Sequence, residues 1–256
     1  MKHIKKRFLE IANIDNIPID KSKGKYINDI KKEKEFLTIL KTDEDKNFLG
    51  FMYRDKKTQQ NLIINFPILP MVFYDNAYHN YRISSQQRDA VISKIANFGN
   101  GGSFPEHEIY NFVGYSTSSI IMLCVALESF ANEIIAHSKY EYKIETTKRT
   151  EIYNHIQTQN EIDFKTKLFK VIPNCLKKFP PEKSSFKSKV ITLIDFRNKL
   201  VHLKSVDSGK ESFIFQSELL RLVLGFDYIG SLTEVRNYMN FFRKDYITDC
   251  DCDKDF

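Results

Sequence analysis

Apolar positions change their rhythm along this chain. Through the first third they come in short runs: Phe36–Leu40, Phe48–Tyr53, Asn61–Ile68 and Met71–Tyr74. Polar turns such as KTDEDKN and RDKKTQQ separate them. Runs of this length between turns predict strands of a small antiparallel sheet, with the third ended by Pro67 and Pro70. A short helix over His3–Ala12 precedes them. Ser84-Ser85 then resembles a cap for a helix ending at Phe98. The stretch GNGGSFPE breaks the chain and marks the expected domain boundary, with 1–103 on one side and 104–248 on the other.

Beyond that break the period becomes 3.6. Ile120, Leu123, Cys124, Leu127, Phe130, Ala131, Ile134 and Ile135 build the strongest predicted helix, Ser116–Ser138, apolar on two sides and so central to a bundle. Further helices are expected over Thr147–Ile156, Asp163–Leu176 (stopped by Phe179-Pro180-Pro181), Ser184–Leu203, Ser212–Leu224 and Leu232–Tyr246. Gly209 separates two of them. The expected fold class is α+β: a small β-rich region, then a mainly helical bundle.

One of these helices carries the candidate chemistry. On Ser184–Leu203, the apolar face is traced by Val190, Leu193, Leu200 and Leu203, with Ile194 and Val201 beside it. Arg197 falls on that face, four residues after Leu193 and three before Leu200. A guanidinium there is costly unless it is paired or lies at a shared interface. Asp195, Asn198 and His202 form a second stripe. Arg197 stands about 100° around the helix from Asn198 and about 140° from His202. Arg197 and His202 therefore do not stack on one helix, but they could still flank a common cleft. Two copies of the helix meeting in a dimer would bring four such groups together.

Such a set suits RNA cleavage. A ribose 2′-hydroxyl attacks the adjacent phosphate once a base removes its proton, and histidine, here His202, is the residue type suited to that work. Arg197 supplies a fixed cation for the charge that develops on phosphorus. Asn198 orients His202 or binds a phosphate oxygen. No metal or cofactor is needed. The competing structural readings are an ion pair of Arg197 with Glu128 or Glu133, and a helix-capping role for His202.

Charge adds a partner class. The net charge is +6, but residues 249–256 hold four Asp and one Lys, so the rest of the chain is more basic than the total implies. Between Lys165 and Lys189 there are eight Lys and one acid, Glu182. A field of this kind attracts a phosphate backbone, with Lys187, Lys189, Lys199 and Lys204 as candidate contacts. Tyr74, Tyr78, Tyr81 and Arg82 could clamp a strand or serve only in packing. Cys124 reads as a core residue, and Cys250 and Cys252 lie in the acidic tail without the ligand set of a zinc site. With neither an apolar leader nor a membrane-length run expected, the location expected is cytoplasmic.

The segments CVALESFANEII and LIDFRNKLVHLK resemble the HEPN family of helical bundle domains, over roughly residues 106–247. That family's ribonucleases carry an Arg, four to six residues, then a His; here Arg197, four residues, His202. A polar residue often follows the Arg, as Asn198 does. The resemblance implies a homodimer with both motifs lining one cleft, and metal-independent endoribonuclease activity. It implies catalytic roles for Arg197 and His202, with Asn198 supporting. Glu128 is the choice for a polar residue on the first core helix, with Asn132 and Glu133 as alternatives. Family members act in phage defence or as toxins held by an antitoxin; others only bind RNA or protein. The β-rich first section has no counterpart in that pattern.

Overall fold

The computed structural model describes residues 4–10, 37–41, 47–98, 101–145, 147, 149–202 and 210–250. The expectations placed on residues 11–12, Phe36, residues 99–100, Leu203, Lys204, Gly209, Cys252 and the rest of the tail lie outside these. The described chain is mostly helical with a small antiparallel sheet near its start, an α+β arrangement. It packs as two units: Lys6–Met71, and Met1–Lys5 with Val72–Phe256. The boundary expected at residue 103 therefore moves. The break around Gly101 joins two helices of one unit, and Gly101 takes a φ of 91° there.

The smaller unit holds β1 (Leu37–Lys41), β2 (Asn47–Arg54) and β3 (Asn61–Asn65), antiparallel in that order. The registers pair Leu37 with Phe51 and Phe51 with Ile64. Gly50 is required by this pairing, because a Cβ there would meet the Ile64 carbonyl oxygen at 2.9 Å. The helix expected over His3–Ala12 is absent from its described part. Residues 4–10 are extended instead, and Phe8 and Glu10 bridge to Pro67 and Phe48. Their backbone groups find partners on neighbouring chain, which a short isolated helix could not match.

The run Met71–Tyr74, expected as a strand, belongs to helix α1 (Leu69–Asn97). Pro70 sits in its first turn, where a missing N–H costs nothing. Met71, Tyr74, Ala77 and Tyr78 then bury one face at helical spacing. Ser84 lies inside this helix and is not a cap; its hydroxyl donates to the Tyr81 carbonyl at 2.9 Å. Helix α2 (Glu106–Ser138) follows and buries the whole predicted stripe from Ile120 to Ile135. It is long and apolar enough to cross a membrane, but 56% of its most apolar window is buried within the protein. That is how a core helix behaves.

Thr147–Ile156 was expected to be helical. Strands β4 (Tyr142–Glu145) and β5 (Thr150–Tyr153) form a hairpin there, and helix α3 (His155–Glu161) starts after it. Tyr142, Ile144 and Tyr153 pack on Ile135, Ile162 and Val171, a burial that alternates as strands require. Asn154 and Gln157 cap α3 reciprocally. A continuous helical run comes next: α4 (Phe164–Thr166), a π-helical turn (Lys167–Val171) and α5 (Ile172–Leu176). The wide turn directly precedes Pro173 and its neighbour Ile172. Proline offers no N–H to the carbonyl four residues back and crowds it, so a relaxed turn fits at that place.

Helices α6 (Ser185–Val201), α7 (Lys210–Gly225) and α8 (Tyr228–Phe242) complete the unit. Helix α2 packs against α3, α5, α6, α7 and α8. Three tyrosines anchor this core. The Tyr74 hydroxyl donates to the Leu232 carbonyl, the Tyr228 hydroxyl to Val223 and the Tyr238 hydroxyl to Leu168. Burial pushes the Tyr228 phenol up to about 12 and raises Tyr74 and Tyr238 well above the ordinary value of 10.0. The unfolded chain therefore releases protons near pH 10 that the folded chain keeps. Stability should be full below about pH 10 and fall as pH rises towards about 12. Urea midpoints at about pH 9 and about pH 11 check this, and Tyr228→Phe should flatten the fall.

Candidate functional site

Helix α6 begins after Pro180-Pro181 with Ser184 in extended backbone at its N-cap. Its first three turns are anchored: Phe186, Val190, Leu193, Ile194 and Phe196 are all buried. The apolar face then emerges from the core. Leu200 is half-buried and Val201 is 48% exposed. Arg197 stands at this transition, half-buried. The expected burial of its face thus holds on the core side and fails beyond it.

Neither ion pair expected for Arg197 is present. Its Nη1 donates to Asn198 Oδ1 at 3.1 Å, and it has no salt bridge among the described residues. Glu133 is occupied by Arg243 and by the Tyr246 hydroxyl at 2.8 Å. His202 terminates the helix, exposed, with φ −105° and ψ 51°, and its N–H bonds the Asn198 carbonyl at 3.0 Å. Within one chain the fold thus joins Arg197 to Asn198, while His202 stands in solvent about one turn further on.

Helix α2 packs against α6. Cys124 and Glu128 are one turn apart, and the Cys124 thiol lies 3.9 Å from the Leu193 carbonyl oxygen. Leu193 is one turn before Arg197. Burial pushes the Cys124 thiol up to about 12; Arg197 acts on it in the opposite sense and Glu128 in the same sense. Both charged groups are therefore near the same buried sulfur. Cys124 itself is the core residue expected. Asn132, one turn beyond Glu128, keeps a buried Oδ1 without a hydrogen-bond partner.

A residue missed by sequence reading completes the cluster. Lys167, in the π-helical turn, is only 3% exposed. Its ammonium donates to the Gln159 carbonyl and lies 3.7 Å from Glu128 Oε1. Lysine in a basic run reads as solvated surface, whereas here it is buried within the wide turn. Pro173 downstream was the one available signal.

The basic field is less open than its composition implies. Lys165 pairs with Asp195 at 2.5 Å, Lys167 with Glu128, and Lys189 with Asp227 at 2.6 Å. Lys187, in the first turn of α6, is half-buried, and Lys199, two residues after Arg197, is exposed. Lys189 also lines a cleft of about 280 Å³ with Thr192 and Arg221. Of the clamp candidates, Tyr74 and Tyr78 are core residues. Tyr81 stacks on Tyr228 with centroids 6.0 Å apart, and Arg82 is half-buried. No three His, Cys, Asp or Glu side chains converge among the described residues.

Comparison of the chain with protein-family models, with curated proteins and with solved structures finds no match.

Proposed function

We propose that this chain is a metal-independent endoribonuclease with a HEPN-like bundle, and that two copies complete each active site. The observation that carries this reading is the Arg197 guanidinium. It is half-buried, free of any carboxylate partner among the described residues, and held by Asn198 where α6 leaves the core. A guanidinium kept in that state has its fork available for an anion.

In the proposed reaction the neutral His202 imidazole takes the proton of a ribose 2′-hydroxyl. The 2′-oxygen forms a bond to the adjacent phosphorus and the bond to the 5′-oxygen breaks. The leaving oxygen takes a proton from an imidazolium, that of the second copy in a paired site. The products are a 2′,3′-cyclic phosphate and a 5′-hydroxyl. Arg197 binds the charge that builds on the non-bridging oxygens, and Asn198 fixes the guanidinium.

Pairing is supported by exposed apolar side chains. Val201 in the last turn of α6, and Leu220 and Leu224, which share one side of α7, are each 40% or more exposed. A second copy would cover such side chains. Lys199 and Lys187 supply the field for the RNA backbone.

The test is cleavage of end-labelled mixed RNAs by purified protein in excess chelator, with product ends identified by mass spectrometry and assembly state by sedimentation. Cyclic phosphate ends from a dimer are expected. One observation favours a second reading, an RNA- or protein-binding module that does not cut: His202 and Arg197 do not meet within one chain. RNA bound but left intact would establish that reading.

A further inference from the structure

We propose that Lys167 is a positioning residue, which holds the Glu128 carboxylate in place on α2, the helix packed against α6, from inside the protein. This rests on the ribonuclease reading and adds a residue to its site.

The argument starts from cost. An ammonium at 3% exposure must be paired and hydrogen-bonded, because its lost hydration is otherwise uncompensated. Lys167 meets that demand with one acceptor, the Gln159 carbonyl, and one ion-pair partner, the Glu128 carboxylate at 3.7 Å. A methionine of similar length would fill the same space without the cost. The charge therefore does something that packing alone does not.

The backbone around it is arranged to the same end. Lys167 opens the π-helical turn, a geometry uncommon in folded proteins and frequent at functional sites. The turn is fixed from three sides. Lys165 reaches Asp195 on α6, Tyr238 on α8 donates to the Leu168 carbonyl at 2.7 Å, and Lys167 itself reaches α2. Glu128 is thus gripped by a group that cannot swing into solvent. Its own side chain is 39% exposed, so its free oxygen remains accessible. Arg197 makes no ion pair with Glu128 among the described residues. Lys167 thereby gives Glu128 an ion-pair partner of its own and leaves a carboxylate to orient the reacting groups.

The experiment compares Lys167→Met, Glu128→Gln and the double variant, each as full-length protein. Under RNA-cleavage conditions, Lys167→Met should lower kcat by about 10- to 100-fold and change KM little, because misplacement of a bound group affects the chemical step. Glu128→Gln should cost a similar factor, and the double variant no more than either single one. Thermal unfolding of the same set gives a readout independent of activity. The double variant should melt no lower than Lys167→Met, since the second change removes a charge already left without its partner. Losses that multiply, melting shifts that add, or full kcat in Lys167→Met would each overturn the proposal. Wild-type protein that never cuts RNA would instead overturn the ribonuclease reading, which separates the two failures.

Discussion

Arg197→Ala should lower RNA cleavage by about 10²- to 10³-fold while the protein melts within a few degrees of wild type. In the proposed reaction Arg197 is a fixed cation for the transferring phosphoryl group, and deleting a single charge-stabilising donor usually has an effect of this size. The small effect on stability follows from what Arg197 contacts. Its described hydrogen bond goes to the adjacent Asn198, and no buried carboxylate loses a partner when it is removed. Arg197→Lys should recover activity only in part, because an ammonium lacks the planar fork that grips two phosphate oxygens. His202→Ala should cost about 10²- to 10⁴-fold, the range for a general acid–base group, and its exposed place at the helix end predicts an even smaller effect on melting. Rates measured in chelator beside melting curves decide the matter. An Arg197→Ala protein that unfolds, or one that cuts at the wild-type rate, would remove Arg197 from catalysis.

The largest stability effect should come from Tyr238. Its side chain is fully buried and touches the rings of Phe130, Phe169, Phe186 and Phe242, with centroids 5.0–6.4 Å away. Tyr238→Ala removes a large aromatic side chain from a core that cannot collapse around the gap, at a cost of about 3–5 kcal/mol. Tyr238→Phe keeps the ring but strips the Leu168 carbonyl of its donor, which should cost about 1–3 kcal/mol. Denaturant titrations of the two variants separate ring packing from the hydrogen bond. Equal losses would mean that the hydroxyl dominates.

Much of the helical unit is legible in the sequence because its signal is dense. Twelve residues of α2 are buried, and their spacing leaves no other reading. The face of α6 through Leu193 and Ile194 follows in the same way. The first helix is not legible, because MVFY is too short to separate strand from helix by period, and Pro70 reads as a stop when it serves as a start. The β4–β5 hairpin is hidden by its Lys, Glu and Thr residues, whose mixed polarity also suits an exposed helix. At the site, sequence spacing places Arg197 at the border of the core. It does not choose among partners, since Glu128 and Glu133 sit on the same helix and only three-dimensional packing assigns Glu133 to Arg243. Lys167 is invisible for a further reason: a π turn shifts register by one residue, and helical-period arithmetic assumes that no such shift occurs.

The division of α6 into an anchored part and an emergent part has a genetic consequence. On the proposed dimer, substitution of Arg197 or His202 should leave a folded chain that still pairs with other copies. If each site needs two motifs, such a chain would enter mixed dimers with the intact form and silence them. Loss of function at Arg197 or His202 would then be dominant, whereas a core lesion at Leu193 would remove its own chain from the pool and be recessive.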